Sequence, residues 1–111
     1  MAIPHAAPGD VINVRPLAER LHQTSTHTLA KSERLEIIRL VVPAGKEIPP
    51  HKVAGPITVQ CLEGRIEFVA GGKEQTLSAG ELLYLPGNEM HALKGIEDAS
   101  VLVTIQLAPK G

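Results

Sequence analysis

Short apolar runs alternate with turn-forming residues from Val11 onward, and no apolar stripe at helical spacing lasts more than two turns. This rhythm predicts strands at Val11–Val14, Thr26–Ala30, Leu35–Val42, Ile57–Leu62, Arg65–Val69, Glu74–Leu77, Leu82–Leu85, His91–Lys94 and Ser100–Leu107. Between them Pro43-Ala44-Gly45, Pro49-Pro50, Gly55-Pro56, Glu63-Gly64, Gly71-Gly72, Ala79-Gly80 and Pro86-Gly87-Asn88 supply turn geometry or stop a ladder. Pro16–Leu21 is the one stretch suited to a short helix, with proline near its start and Leu17 and Leu21 four apart.

A period of two sorts the strand faces. Ile57, Val59 and Cys61 alternate with Thr58, Gln60 and Leu62, and Val101, Val103, Ile105 and Leu107 alternate with Leu102, Thr104 and Gln106. Leu35–Val42 is apolar on both faces, the pattern of a strand covered on each side, for instance at a subunit interface. The pattern therefore predicts an all-β domain over residues 11–111, preceded by a loosely held arm at residues 1–10 that contains two prolines and a glycine. At 111 residues the chain accommodates one domain.

Charge and composition narrow the partners. The 11 basic and 12 acidic side chains nearly cancel, so no overall field draws the protein to nucleic acid or an anionic membrane. Tyr84 and Phe68 are the only aromatic side chains, which leaves no stacking platform for single-stranded nucleic acid. No apolar run approaches the ~20 residues that span a bilayer, and the first ten residues lack the basic and apolar regions of a secretion signal. Cys61 stands alone, which excludes an internal disulfide and a thiolate-rich zinc site, and a cytoplasmic location is expected.

The two halves echo one another: Ala44-Gly45 leads to His51, and Ala79-Gly80-Glu81 leads through Pro86 to His91. The segment Gly45-Lys-Glu-Ile-Pro-Pro-His51-Lys-Val53-Ala-Gly-Pro-Ile57, continuing to Gly64, resembles the first motif of the cupins, G-x5-H-x-H-x3-E-x6-G. Gly80-Glu-Leu-Leu-Tyr-Leu-Pro86-Gly-Asn-Glu-Met-His91 resembles the second, G-x5-P-x-G-x2-H. The resemblance implies a cupin jelly roll, a double-stranded β-helix of the RmlC-like kind, and a homodimer. It also implies a metal held by two His and a Glu of the first motif and one His of the second. Register gives those places to His51, Val53, Ile57 and His91, so two ligands of four are aliphatic.

His51 and His91 are accordingly the candidate ligands for a divalent metal (zinc, iron, manganese or nickel), in a site lacking half its donors and any carboxylate. Two other roles remain open to them: a hydrogen-bonded pair without metal, and a general acid or base. Val53, Ile57, Val59 and Cys61, faced by Val103 and Ile105, are expected either to line an apolar pocket ending on the imidazoles or to pack as plain core. Cys61 is expected to be buried and unreactive. His5, His22 and His27 read as solvated surface residues, and Arg39 and Arg65 as solvated or ion-paired ones. Together these features predict a small-molecule-binding protein with a degenerate metal site. The alternative is a metal-dependent dioxygenase, isomerase or lyase using His51 and His91.

Overall fold

A computed structural model describes residues 4–107; residues 1–3 of the arm and 108–111 of the domain lie outside the described residues. Among the described residues nine strands form two antiparallel sheets: β1 His27–Lys31, β2 Leu35–Val42, β3 Glu47–His51, β4 Ile57–Glu63, β5 Arg65–Ala70, β6 Lys73–Ser78, β7 Leu82–Leu85, β8 His91–Gly95 and β9 Ala99–Gln106. One sheet runs β1-β2-β9-β4-β7 and the other β3-β8-β5-β6. The order crosses between sheets in the manner of a jelly roll, and the all-β prediction holds.

Alternation along the strands fills the space between the sheets. Ile57, Val59 and Cys61 of β4, Ala99, Val101 and Val103 of β9, Ile66 and Phe68 of β5, Leu93 of β8 and Val42 of β2 are all buried in one cluster. The β4–β9 register sets Ile57 opposite Ile105, Val59 opposite Val103 and Cys61 opposite Val101, as the period of two requires. The hairpin from β4 to β5 turns at Gly64, whose φ of 72° lies in the left-handed region. A Cβ there would run into the Asp98 carbonyl, so sterics demand glycine twice over.

Three local expectations give way. Val11–Val14 forms no strand; Val11 is 98% exposed, and this stretch finds no ladder partner. β3 was hidden by Pro49-Pro50, which read as a stop; β3 is the edge strand of its sheet, where missing N–H donors cost no ladder bond. The helix predicted at Pro16–Leu21 exists as a 3-10 helix at Ala18–Gln23.

That helix explains much of the two-sided pattern of β2. Leu17 and Leu21 pack with Val41 on the outer side of the five-stranded sheet, so this part of the strand is covered by its own chain. Beside them Glu63 accepts hydrogen bonds from the Leu17 amide at 2.8 Å, the Ala18 amide at 3.0 Å and the Ser100 hydroxyl. Ala18 is held in the left-handed region, at φ 51°, where an alanine is strained. Arg39, only 4% exposed, donates from Nη2 to the Arg15 carbonyl at 2.8 Å, and its buried Nε has no partner. At the far end of the helix His22 Nε2 meets Asp98 Oδ2 at 2.7 Å. Residues 15–23 thus form a strap fastened across one end of the sheet.

Candidate functional site

The two candidate histidines arrive from adjacent strands of the four-stranded sheet. His51 ends β3 and lies directly opposite His91, which begins β8, across a register shift between Ile48 and His51. Their ring centroids are 4.3 Å apart at an interplanar angle of 61°. His91, 6% exposed, also stacks on Phe68 with centroids 5.8 Å apart; His51 is exposed. The turn before β8 closes through Asn88, at φ 64°, where the resembled motif writes glycine; asparagine is among the few other residues that take this conformation readily.

Each imidazole is fixed by a backbone carbonyl two residues earlier. His51 Nδ1 lies 3.0 Å from the Pro49 oxygen and His91 Nδ1 lies 2.9 Å from the Glu89 oxygen. A carbonyl only accepts, so each neutral ring carries its proton on Nδ1 and keeps a lone pair on Nε2. No hydrogen bond among the described residues reaches either Nε2. Burial pushes the His91 pKa down and the nearby His51 adds to this, outweighing the carbonyl of Glu89, so His91 is neutral near pH 7.

The rings end a cavity of about 80 Å³ between the sheets, lined otherwise by Ile38, Leu40, Val53, Ile57, Val59, Phe68, Leu93, Val103 and Ile105. Seven of the eight expected pocket residues, namely His51, Val53, Ile57, Val59, His91, Val103 and Ile105, are brought together there. Cys61 is the exception and a correction: it does not line the cavity. It points inward as expected but sits deeper along β4, fully buried, with Sγ directed at the Glu63 and Gly64 carbonyls at 3.3 and 3.5 Å. Burial raises its pKa, as expected of an inert thiol.

Four lining residues were not anticipated as pocket residues: Ile38, Leu40, Phe68 and Leu93. Their signal was present in the alternation of β2, β5 and β8. Choosing which strands would face one another required the sheet order. A wider depression of about 770 Å³ at the barrel rim shares Val53 and Ile105 with the inner cavity.

The donor set does not fit a resident divalent metal. Among the described residues no third His, Cys, Asp or Glu joins the pair. Val53 and Ile57 line the cavity where the family's second His and Glu would stand, and no carboxylate is available to neutralise a dication. The acids nearest the pair in sequence point elsewhere. Glu89 reaches toward Gly71, and Glu47 lies by Lys94 Nζ at 3.9 Å with three quarters of its side chain exposed.

The family model described as Cupin domain matches residues 38–105. Among solved structures, a conserved protein of unknown function from Streptococcus pyogenes superposes with a TM-score of 0.75 at 20% identity, covering 99% of this chain and 97% of that one. A cupin superfamily protein from Desulfitobacterium hafniense gives 0.77 at 19% identity, over 93% of this chain and 100% of that one. KdgF from Halomonas gives 0.68 at 20% identity, over 75% and 79%. Likeness at such identities speaks for the fold alone. No curated protein matches the sequence. Among the described residues no helix is long and apolar enough to cross a membrane. With both motif histidines at the mouth of a two-sheet barrel and a domain match running from within β2 into β9, the chain belongs to the cupin family.

Proposed function

We propose that the protein binds a small molecule inside the barrel and that the two histidines serve recognition. The observation that carries this reading is an apolar cavity of about 80 Å³ whose polar end consists of two imidazoles with free Nε2 atoms. Apolar walls with a few convergent polar groups are the usual make-up of a ligand site. Titration with small neutral organic molecules, followed by methyl NMR, tests it. Shifts should concentrate at Ile57, Val59, Val103 and Ile105, and weak, millimolar-range binding is the scale expected for so few ligand atoms. Saturating shifts confined to the outer surface, or none, would refute it.

A metal-dependent enzyme is the second reading. It draws support from the same tautomers, because a lone pair on Nε2 is what a ligating imidazole presents. The missing carboxylate weighs against it, and near-stoichiometric metal that is lost in His51→Ala would establish it.

A cytoplasmic setting agrees with a lone thiol, and a homodimer with the outer face of the five-stranded sheet. There Tyr84 is 75% exposed and Leu82 60%, beside their cross-strand neighbours Thr58 and Gln60 and, further across the sheet, Leu102, Thr104 and Ile37. The only charged residue in this patch, Arg39, is buried. Two-fold pairing sets a patch against itself, and an uncharged patch is compatible with its own copy. Light scattering should report a dimer that Tyr84→Glu converts to monomer; a monomeric parent protein would refute the pairing.

A further inference from the structure

We infer that the inner cavity selects uncharged ligands of about three to four non-hydrogen atoms that present a hydrogen-bond donor, such as a small secondary alcohol or a primary amide, over acceptor-only or charged molecules of similar size. This rests on the binding reading above and concerns which chemistry the same site takes.

The polarity of the site follows from its tautomers. The Pro49 and Glu89 carbonyls hold the protons on Nδ1 of His51 and His91, so the nitrogen each neutral ring has left for a ligand, Nε2, carries a lone pair, and both rings line the cavity. An acceptor-only molecule placed there leaves two acceptors facing its own, whereas one O–H or N–H donor satisfies an imidazole that the protein leaves unpaired. His91 is only 6% exposed, which leaves little room for water to compete with a ligand at that ring.

Charge is excluded by what surrounds the rings. An anion meets two lone pairs and hydrocarbon. A cation finds acceptors but no counter-charge, because Val53 and Ile57 are apolar and no acid joins the pair. The absence of a carboxylate, which spoils the site for a dication, is thus the same feature that suits it to a neutral guest.

Size follows from volume. An apolar protein cavity of about 150 Å³ accommodates benzene, with six non-hydrogen atoms, so a cavity near half that size takes about three to four. A longer ligand would have to continue past Val53 and Ile105, the two residues shared with the rim depression.

The test compares 2-propanol with acetone, which match in size and differ in the donor, and adds acetate and ethylammonium as charged controls. Methyl shifts at Val59 and Val103 give each affinity at neutral pH. The expected result is 2-propanol bound about five-fold more tightly than acetone, the scale of one net hydrogen bond, with neither ion binding. His91→Leu and, separately, His51→Leu should each weaken the preference, and the double variant should abolish it, while acetone still binds; His51 is exposed, so its variant keeps the test available if His91→Leu fails to fold. Acetone binding as tightly as 2-propanol, or either ion matching it, would overturn the donor rule and leave the pocket intact. No probe entering would overturn the binding reading itself. Stoichiometric capture of Zn²⁺ by the two rings would overturn the selection for neutral guests.

Discussion

Replacing Glu63 by alanine should release the strap at residues 15–23. The carboxylate accepts from two backbone amides and the Ser100 hydroxyl, and it faces the charge of Arg39. A hydrogen bond to a charged group contributes about 1.5–3 kcal/mol, and orphaning a buried partner adds to that. Glu63 is itself only half-buried, so the low end of the range applies. Counting the amide pair as one such bond and adding a comparable amount for Arg39 gives about 3 kcal/mol. For a domain of this length that is a fall in Tm of about 12 °C.

Acid should reproduce the effect. Burial alone would raise the Glu63 pKa, but the hydrogen bonds from Leu17, Ser100 and Ala18 and the charge of Arg39 outweigh it and hold the carboxyl below its ordinary range. A carboxyl lowered in the folded state stabilises the protein at pH above that range, and the contribution is lost as pH falls through the folded value. Thermal unfolding across pH 3–7 is the assay, with hydrogen exchange at the Leu17 and Ala18 amides reporting the strap. Glu63→Ala should flatten the acid limb and speed exchange at those two amides. A variant within about 2 °C of the parent, with unchanged exchange there, would refute the latch.

Three further outcomes follow from the packing. Gly64→Ala should cost at least about 3 kcal/mol in a denaturant titration, because the new methyl both strains a left-handed residue and meets the Asp98 carbonyl; a loss under 1 kcal/mol would contradict the crowding. Cys61 should resist a thiol reagent in the native protein and react stoichiometrically once denaturant is added, and rapid native labelling would refute its burial. His91 has a pKa lowered by burial, so its neutral form favours folding above pH 6.5, the ordinary imidazole value, and that contribution is lost as pH falls through its lower folded value. The pH profile of His91→Leu should lack this step.

The sequence exposed the parts of the fold governed by alternation. β4 could be placed to within a residue because its apolar positions recur every second residue between Pro56 and Gly64, and β2 and β7 because apolar runs stop at Pro43 and Pro86. Val11–Val14 had the composition of a strand without a partner, and β3 had a partner without the composition; only the tertiary ladder separates those cases. The candidate site was legible through His51 and His91, since motif spacing survives where ligands do not. Glu63 was not legible. It reads as one half of a Glu-Gly turn, and its function depends on Leu17, 46 positions away in the chain. Cys61 was placed on the correct face but at the wrong depth, because alternation gives a side of the sheet and not a distance along the barrel axis.

Long-range ¹H–¹⁵N NMR of the two imidazoles at neutral pH, without and then with equimolar Zn²⁺, tests the recognition role of His51 and His91 most directly. Both rings should show the proton on Nδ1 and a bare Nε2, unchanged by the metal. Protons on Nε2, or a stoichiometric zinc-induced shift of both Nε2 resonances, would contradict it.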